Sequence, residues 1–97
     1  MPTYMCLINW TEQGIRNIKD SPNRLDAAKK SVKDLGGEVK AFYMLQGSYD
    51  AVLMLEVPND EALGKFLLKI GSAGNVRTTT MRAYPEPEYL KIIAGVS

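Results

Sequence analysis

The sequence predicts an α+β fold in which one four-stranded antiparallel sheet carries its helices on a single face. Three observations lead there. The chain has 97 residues, the size of one domain, since two cores need nearer ~200. Its composition, 45% hydrophobic and 24% charged, is that of an ordinary globular protein. Its apolar pattern switches between strand and helix periods in the order β-α-β-β-α-β, with an amphipathic tail behind.

Residues 3–10, Thr-Tyr-Met-Cys-Leu-Ile-Asn-Trp, form the first strand. Thr11 offers a hydroxyl to cap a helix, and Glu12 sits where the positive end of the helix dipole favours a carboxylate. Ser21-Pro22 interrupts, because proline suits a first turn and not a helix interior. The expectation is a short piece near 12–19, with Ile15 and Ile18 on one face, then a longer helix near 22–35. There Leu25, Ala28, Val32 and Leu35 recur at helical spacing until Gly36-Gly37 stops it.

Residues 38–46 read as a second strand with Val39, Phe42, Tyr43 and Leu45, and residues 50–57 as a third. The turn Gly47-Ser48-Tyr49-Asp50 makes the two a hairpin. Pro58-Asn59-Asp60-Glu61 opens the next helix, with Asn59 as cap and two carboxylates in the first turn. Leu63, Phe66, Leu67 and Ile70 make its stripe. Residues 75–84, rich in β-branched side chains, form the fourth strand. Beyond Pro85 and Pro87, residues 88–93 carry Tyr89, Leu90, Ile92 and Ile93 on a segment too short to be a stable helix alone in water. Such a tail, residues 86–97, is expected to dock on its own edge strand or on a partner.

This order is the split-βαβ, ferredoxin-like pattern, and right-handed crossovers place strands one and three centrally. Both helices then cover one face. A sheet with one wet face should alternate apolar and polar residues, and these two strands do not. Met5 and Leu7 oppose Tyr4, Cys6, Ile8 and Trp10, while Val52 and Met54 oppose Leu53, Leu55 and Val57. The simplest cover for the second face is the same face of another copy, a homodimer.

The chain contains no histidine and one cysteine, Cys6. Histidine-ligated haem, the usual zinc and copper sites, Ser-His-Asp and Cys-His mechanisms and CxxC redox pairs are thereby excluded. No Walker-type loop or GxGxxG is present. The methionines Met5, Met44, Met54 and Met81 read as gap-filling core rather than a soft-metal set, so no metal and no cofactor are expected. A balance of 12 basic against 11 acidic residues gives no electrostatic reason to expect nucleic acid. No run approaches ~18 apolar residues and the start has no signal-like pattern, so the expectation is a cytoplasmic protein without a membrane segment.

Asn9-Trp10-Thr11, Gly14-Ile15, Gly47-Ser48-Tyr49-Asp50 and Asn75-Val76-Arg77-Thr78 leading into Arg82-Ala83 form a specific set, and together they resemble the GYD-domain family nearly end to end. The resemblance implies a single ferredoxin-like domain over 1–97 whose sheet pairs with a second sheet as a dimeric α/β barrel. It implies no reaction. Related barrels include cofactor-free monooxygenases, lactone isomerases and ligand-sensing domains, which is analogy at the level of fold.

The candidate site residues each carry two readings. Gly47 supplies a positive φ, and Asp50 bonds the turn's amides; alternatively Tyr49 and Asp50 act as hydroxyl and carboxylate at the mouth of a cavity. Strand alternation sets Thr78, Thr80 and Arg82 on one face and Arg77 on the other. That row is a cradle for an anion or enolate, or else a polar edge strand in which Arg82 pairs with an acid such as Asp50. Trp10 and Tyr43 line a pocket for an aromatic ligand, or pack as core or interface. The expected function is a homodimeric domain binding a small metabolite through Asn9, Trp10, Tyr43, Tyr49, Asp50, Thr78, Thr80 and Arg82. The alternative is a cofactor-independent monooxygenase- or isomerase-like enzyme, with Tyr49, Asp50 and Arg82 as catalytic groups.

Overall fold

A computed structural model describes residues 1–97. The elements are β1 (Thr3–Trp10), α1 (Glu12–Arg16), a 3-10 turn (Ile18–Asp20), α2 (Ser21–Asp34), β2 (Glu38–Met44), β3 (Ala51–Glu56), α3 (Asp60–Ser72), β4 (Val76–Ala83) and α4 (Glu86–Ala94). The strands form one antiparallel sheet in the order β2-β3-β1-β4. The fold is ferredoxin-like, with β1 and β3 in the centre.

Local chemistry sets the helix starts. The Gly14 amide donates to Thr11 Oγ1 at 3.1 Å, and the Ala62 amide donates to Asn59 Oδ1 at 2.9 Å. The expected 12–19 helix breaks at Asn17, whose side chain donates to Gln13 O at 3.1 Å. An asparagine that bonds the preceding turn in this way competes with helix continuation. Ile15 consequently stays half exposed while Ile18 turns partly inward.

The core lies between the sheet and α2 and α3. Tyr4, Cys6 and Ile8 of β1 meet Ala51, Leu53, Leu55 and Val57, covered by Val32 of α2 and by Ala62 and Phe66 of α3. Phe66, Leu53 and Leu55 are fully enclosed, and each contributes about 1.5–3 kcal/mol of burial.

The opposite face is uncovered by α2 and α3. Met54, Met5 and Met81 stand side by side across β3, β1 and β4, and Val52 pairs with Leu7 beside them. Tyr43 lies opposite Val52, and so on this same face. That placement differs from the pocket expected for Tyr43 beside Trp10. The cause is a register shift between Val39 and Ala41. It lets Val39 and Phe42, three residues apart, both face the helices and turns Tyr43 to the open side.

Of the two seats expected for the tail, its own edge strand or a partner, the first is not taken. Residues 86–97 form α4 and a short end beyond it, but none is buried and only Glu88 is half-buried. Within one protomer α4 stands off the sheet, in a molecule with extents of 51 × 31 × 17 Å; it does not dock on its own edge strand. The two prolines explain this: Pro85 ends the β4 ladder and Pro87 sits in the first turn of α4, so the strand cannot curl the helix back. No helix of the chain is long and apolar enough to cross a membrane.

Candidate functional site: a cleft beneath the helices

Between the covered face of the sheet and the pair α2 and α3 lies a cavity of about 440 Å³. Ile8, Trp10, Phe42 and Leu53 form its floor, and Leu25, Ala28, Phe66 and Ile70 its walls. The sequence of α2 leaves this space open. Its inward residues include the small Ala28 and Ser31, so the helix reaches the sheet without filling the gap. Most of the lining is hydrophobic, and Arg24, Lys30, Asp34, Lys69 and Asn75 lie at its edge. An apolar chamber with a few polar groups is the usual form of a small-molecule site. Arg24 is partly committed, donating to Asn17 O at 2.9 Å and Gly14 O at 3.3 Å.

Of the eight ligand-binding candidates only Trp10 lines this chamber. Asn9 and Asp50 instead tie the β2–β3 turn to the end of β1. Asn9 Nδ2 donates to Ser48 O at 3.0 Å, and the Trp10 amide donates to an Asp50 carboxylate oxygen at 2.9 Å. The Asp50 amide donates to Ile8 O and its carbonyl accepts from the Leu45 amide, both at 2.8 Å. Gly47 supplies the turn with φ +146°, a value that favours glycine. Tyr49 is half-buried in this turn. Tyr43 is 63% exposed on the open face.

Beside that turn a second lock joins α1 to the α3–β4 connection. Thr11 Oγ1 donates to Gly74 O at 2.6 Å, the Thr11 amide donates to Asn75 O at 3.1 Å, and Gln13 Nε2 donates to Ala73 O and Asn75 Oδ1 at 3.0 Å. Gly14 is buried against this strap, and a Cβ there would lie 1.9 Å from Asn75 O. The residue groups Asn9-Trp10-Thr11, Gly14, Gly47–Asp50 and Asn75 are therefore neighbours at one end of the sheet. Sequence reading found the residues without their contacts, which span forty to sixty positions.

Arg82 lies at the other end. Its guanidinium donates to Thr3 O at 3.1 Å, to Ala83 O and to Glu88 Oε1 at 3.0 Å, and stacks 4.4 Å from the Tyr84 ring centre. Asp50 holds the Trp10 amide, so seven residues of β1, roughly 20 Å, separate the two groups. Tyr49, Asp50 and Arg82 do not meet within one protomer, and Arg82 pairs with Glu88 rather than Asp50. Antiparallel pairing is the reason. It sets the end of β4 beside the start of β1, and the β2–β3 turn beside its end.

Thr78 and Thr80 share the helix-side face with Arg82 but reach no common group. Thr80 Oγ1 is buried without a well-formed partner opposite Cys6. Burial pushes the Cys6 thiol up, and the neighbouring Thr80 hydroxyl offsets this only in part; a neutral buried thiol is a poor nucleophile. Near Arg82 a further pair escaped sequence reading: the buried Tyr4 hydroxyl donates to Asp60 Oδ1 in the first turn of α3. That bond, burial and the Asp60 charge raise the Tyr4 pKa above its usual value, against a smaller opposing effect of Arg82. An acid at a helix start, facing a tyrosine at the start of a central strand, was the available signal.

Comparisons with known proteins bear on the family and the fold. The profile of the GYD domain matches residues 4–93. A relative from Thermus thermophilus, named glutamine synthetase and cystathionine beta-lyase binding protein, is 30% identical over 86 residues, covering 88% of this chain and 90% of its own. Among solved structures, a hypothetical protein from Pyrococcus horikoshii aligns at TM-score 0.56 and 23% identity over 88% of this chain and 92% of its own. A feast or famine regulatory protein from M. tuberculosis, solved with L-methionine, aligns at TM-score 0.66 and 22% identity over 88% of this chain. The chain spans about half, 51%, of that regulator's length. These two structures share the fold. The match over residues 4–93 makes the chain a member of the GYD domain family.

Proposed function

We propose that this protein is a non-catalytic binding module, one domain over residues 1–97, that works as a homodimer paired through its open sheet faces as an α/β barrel. In each protomer the cleft beneath α2 and α3 takes a small metabolite with an apolar body and an anionic group. The cleft itself carries this reading. Its floor of Trp10, Phe42 and Leu53 suits an apolar or aromatic body, and Lys30 and Lys69 at its edge suit an anion. The distance between Asp50 and Arg82 weighs against the enzyme reading. A cytoplasmic setting fits Cys6, a free buried thiol.

Trp10 is the single tryptophan and lines the cleft, so it reports occupancy directly. Titrating the protein with a panel of aromatic and aliphatic carboxylates should change its fluorescence saturably for at least one. Ala28→Trp, which fills the chamber from α2, should weaken that binding at least about tenfold while the fold persists, read by calorimetry. A panel with no saturable binder, or an Ala28→Trp variant that binds as well as the parent, overturns the cleft as the site.

A second reading rests on the Thermus thermophilus relative, whose name records binding to two enzymes. On that reading the dimer docks on a metabolic enzyme. Co-sedimentation with glutamine synthetase and cystathionine β-lyase of the same source organism tests it. A stable complex at micromolar concentration is the expected result, and independent sedimentation of all components removes the reading.

A further inference from the structure

We infer that Ser31 is a specificity-determining residue of the cleft, and that the ligand it selects is an aromatic carboxylate bearing a ring hydroxyl. The inference rests on the binding reading given above and names the ligand class of that same chamber. Among the polar residues that line the chamber Ser31 alone is buried, at 8% exposed, whereas Lys30, Asp34 and Lys69 are exposed at its edge. It stands in the middle of the α2 stripe that faces the cavity. Ala27 and Ala28 lie one turn before it and Asp34 one turn after, and all three line the same space. Residues three and four apart share a helix face, so the Ser31 side chain projects into the chamber and not toward solvent.

The hydroxyl it carries is uncommitted. A serine inside a helix can bond back to a carbonyl of the preceding turn; Ser72 does this, donating to Lys69 O at 2.9 Å. The Ser31 carbonyl accepts from the Leu35 amide at 3.2 Å, but its Oγ bonds to nothing in the chain. A buried hydroxyl without a partner is unfavourable, and serine is a poorer helix former than alanine. Alanine would therefore suit this position better, as it suits Ala27 and Ala28. An otherwise apolar wall keeps one group able both to donate and to accept, and the partner it lacks comes from inside the chamber.

The surroundings define that partner. Trp10, Phe42 and Phe66 line the same space, and their faces and edges favour an aromatic body. At about 440 Å³ the chamber lies within the range of small-molecule sites, about 300–1,000 Å³. Lys30 follows Ser31 about 100° round the helix, so an anion at the edge and an oxygen inside are met from one wall. Neither Lys30 nor Lys69 is engaged in an ion pair. A ring oxygen satisfies Ser31, whereas a bare ring leaves the hydroxyl dry and unpaired, which counts against that ligand.

The test titrates the parent and Ser31→Ala by calorimetry with benzoate, phenylacetate and phenylpropanoate, each unsubstituted and with a meta or para ring hydroxyl. In the parent at least one hydroxylated acid should bind at least about tenfold tighter than its unsubstituted counterpart. In Ser31→Ala that preference should fall below about threefold, because the partner of the ring hydroxyl is gone. Ser31→Ala should also melt at the temperature of the parent or higher, since it removes an unpaired hydroxyl and improves the helix. Equal affinities within every pair in the parent, or a preference that survives in Ser31→Ala, overturn the role of Ser31 and leave the cleft standing. A Ser31→Ala chain that melts lower shows the hydroxyl already bonded within the protein and overturns the inference too. No binding by any of the acids, with or without the hydroxyl, overturns the cleft itself and this inference with it.

Discussion

Met54→Asp should convert the proposed dimer to a folded monomer, whereas Ile8→Asp should unfold the chain altogether. The two residues lie on central strands and look equivalent in the sequence. In the fold Met54 faces the open side while Ile8, 8% exposed, faces α2 and α3. Met54 is half-buried on the open face, so a carboxylate there keeps access to water in the free protomer, and most of its cost of several kcal/mol falls on association. At position 8 the same group has no escape from the core, and a similar cost consumes most of the stability of a domain this small. Sedimentation velocity with circular dichroism separates the outcomes. A Met54→Asp protein that remains dimeric removes the open face as the interface, and an Ile8→Asp protein that folds normally contradicts the assigned core.

The second large effect belongs to a methyl group. Gly14→Ala should lower folding stability by about 3 kcal/mol or more, measured by urea unfolding. The added carbon would stand 1.9 Å from Asn75 O and 2.9 Å from Asn75 C, all backbone, so no side chain can swing aside. The strap between α3 and β4 must move, with the Thr11 and Gln13 hydrogen bonds that hold it. The glycine-to-alanine gain in helix propensity, about 1 kcal/mol, is too small to offset this. Gly64 is the control: it also lies within a helix, and nothing stands within 4 Å of an added Cβ, so Gly64→Ala should be neutral or stabilising. Equal stability of Gly14→Ala and the parent would show that the strap is soft.

Much of the architecture was legible because it is local. The caps Thr11 and Asn59, the stop at Gly36-Gly37 and the Gly47 turn each act within a few residues, and the element order with right-handed crossovers already placed β1 and β3 centrally. The site was less legible. The row Thr78, Thr80, Arg82 was rightly placed on one face, yet alternation along a strand says nothing of which end of the sheet an acid from another strand will occupy. Of the two readings of Tyr43, pocket or core and interface, the sequence could not choose: a bulge beside Lys40 shifts the strand's period by one residue and turns Tyr43 to the open face, and no side chain there announces it.

The sequence by itself determined the element order, the central pair of strands, the helix caps and the two-faced apolar sheet, because periodicity and capping depend on neighbours along the chain. Only the tertiary structure decided that Asp50 and Arg82 stand at opposite ends of β1, that small residues on α2 leave a cleft over Trp10, that Gly14 touches Asn75, and that α4 stands free. Each of these depends on which backbone atoms, distant in sequence, packing brings within a few ångströms.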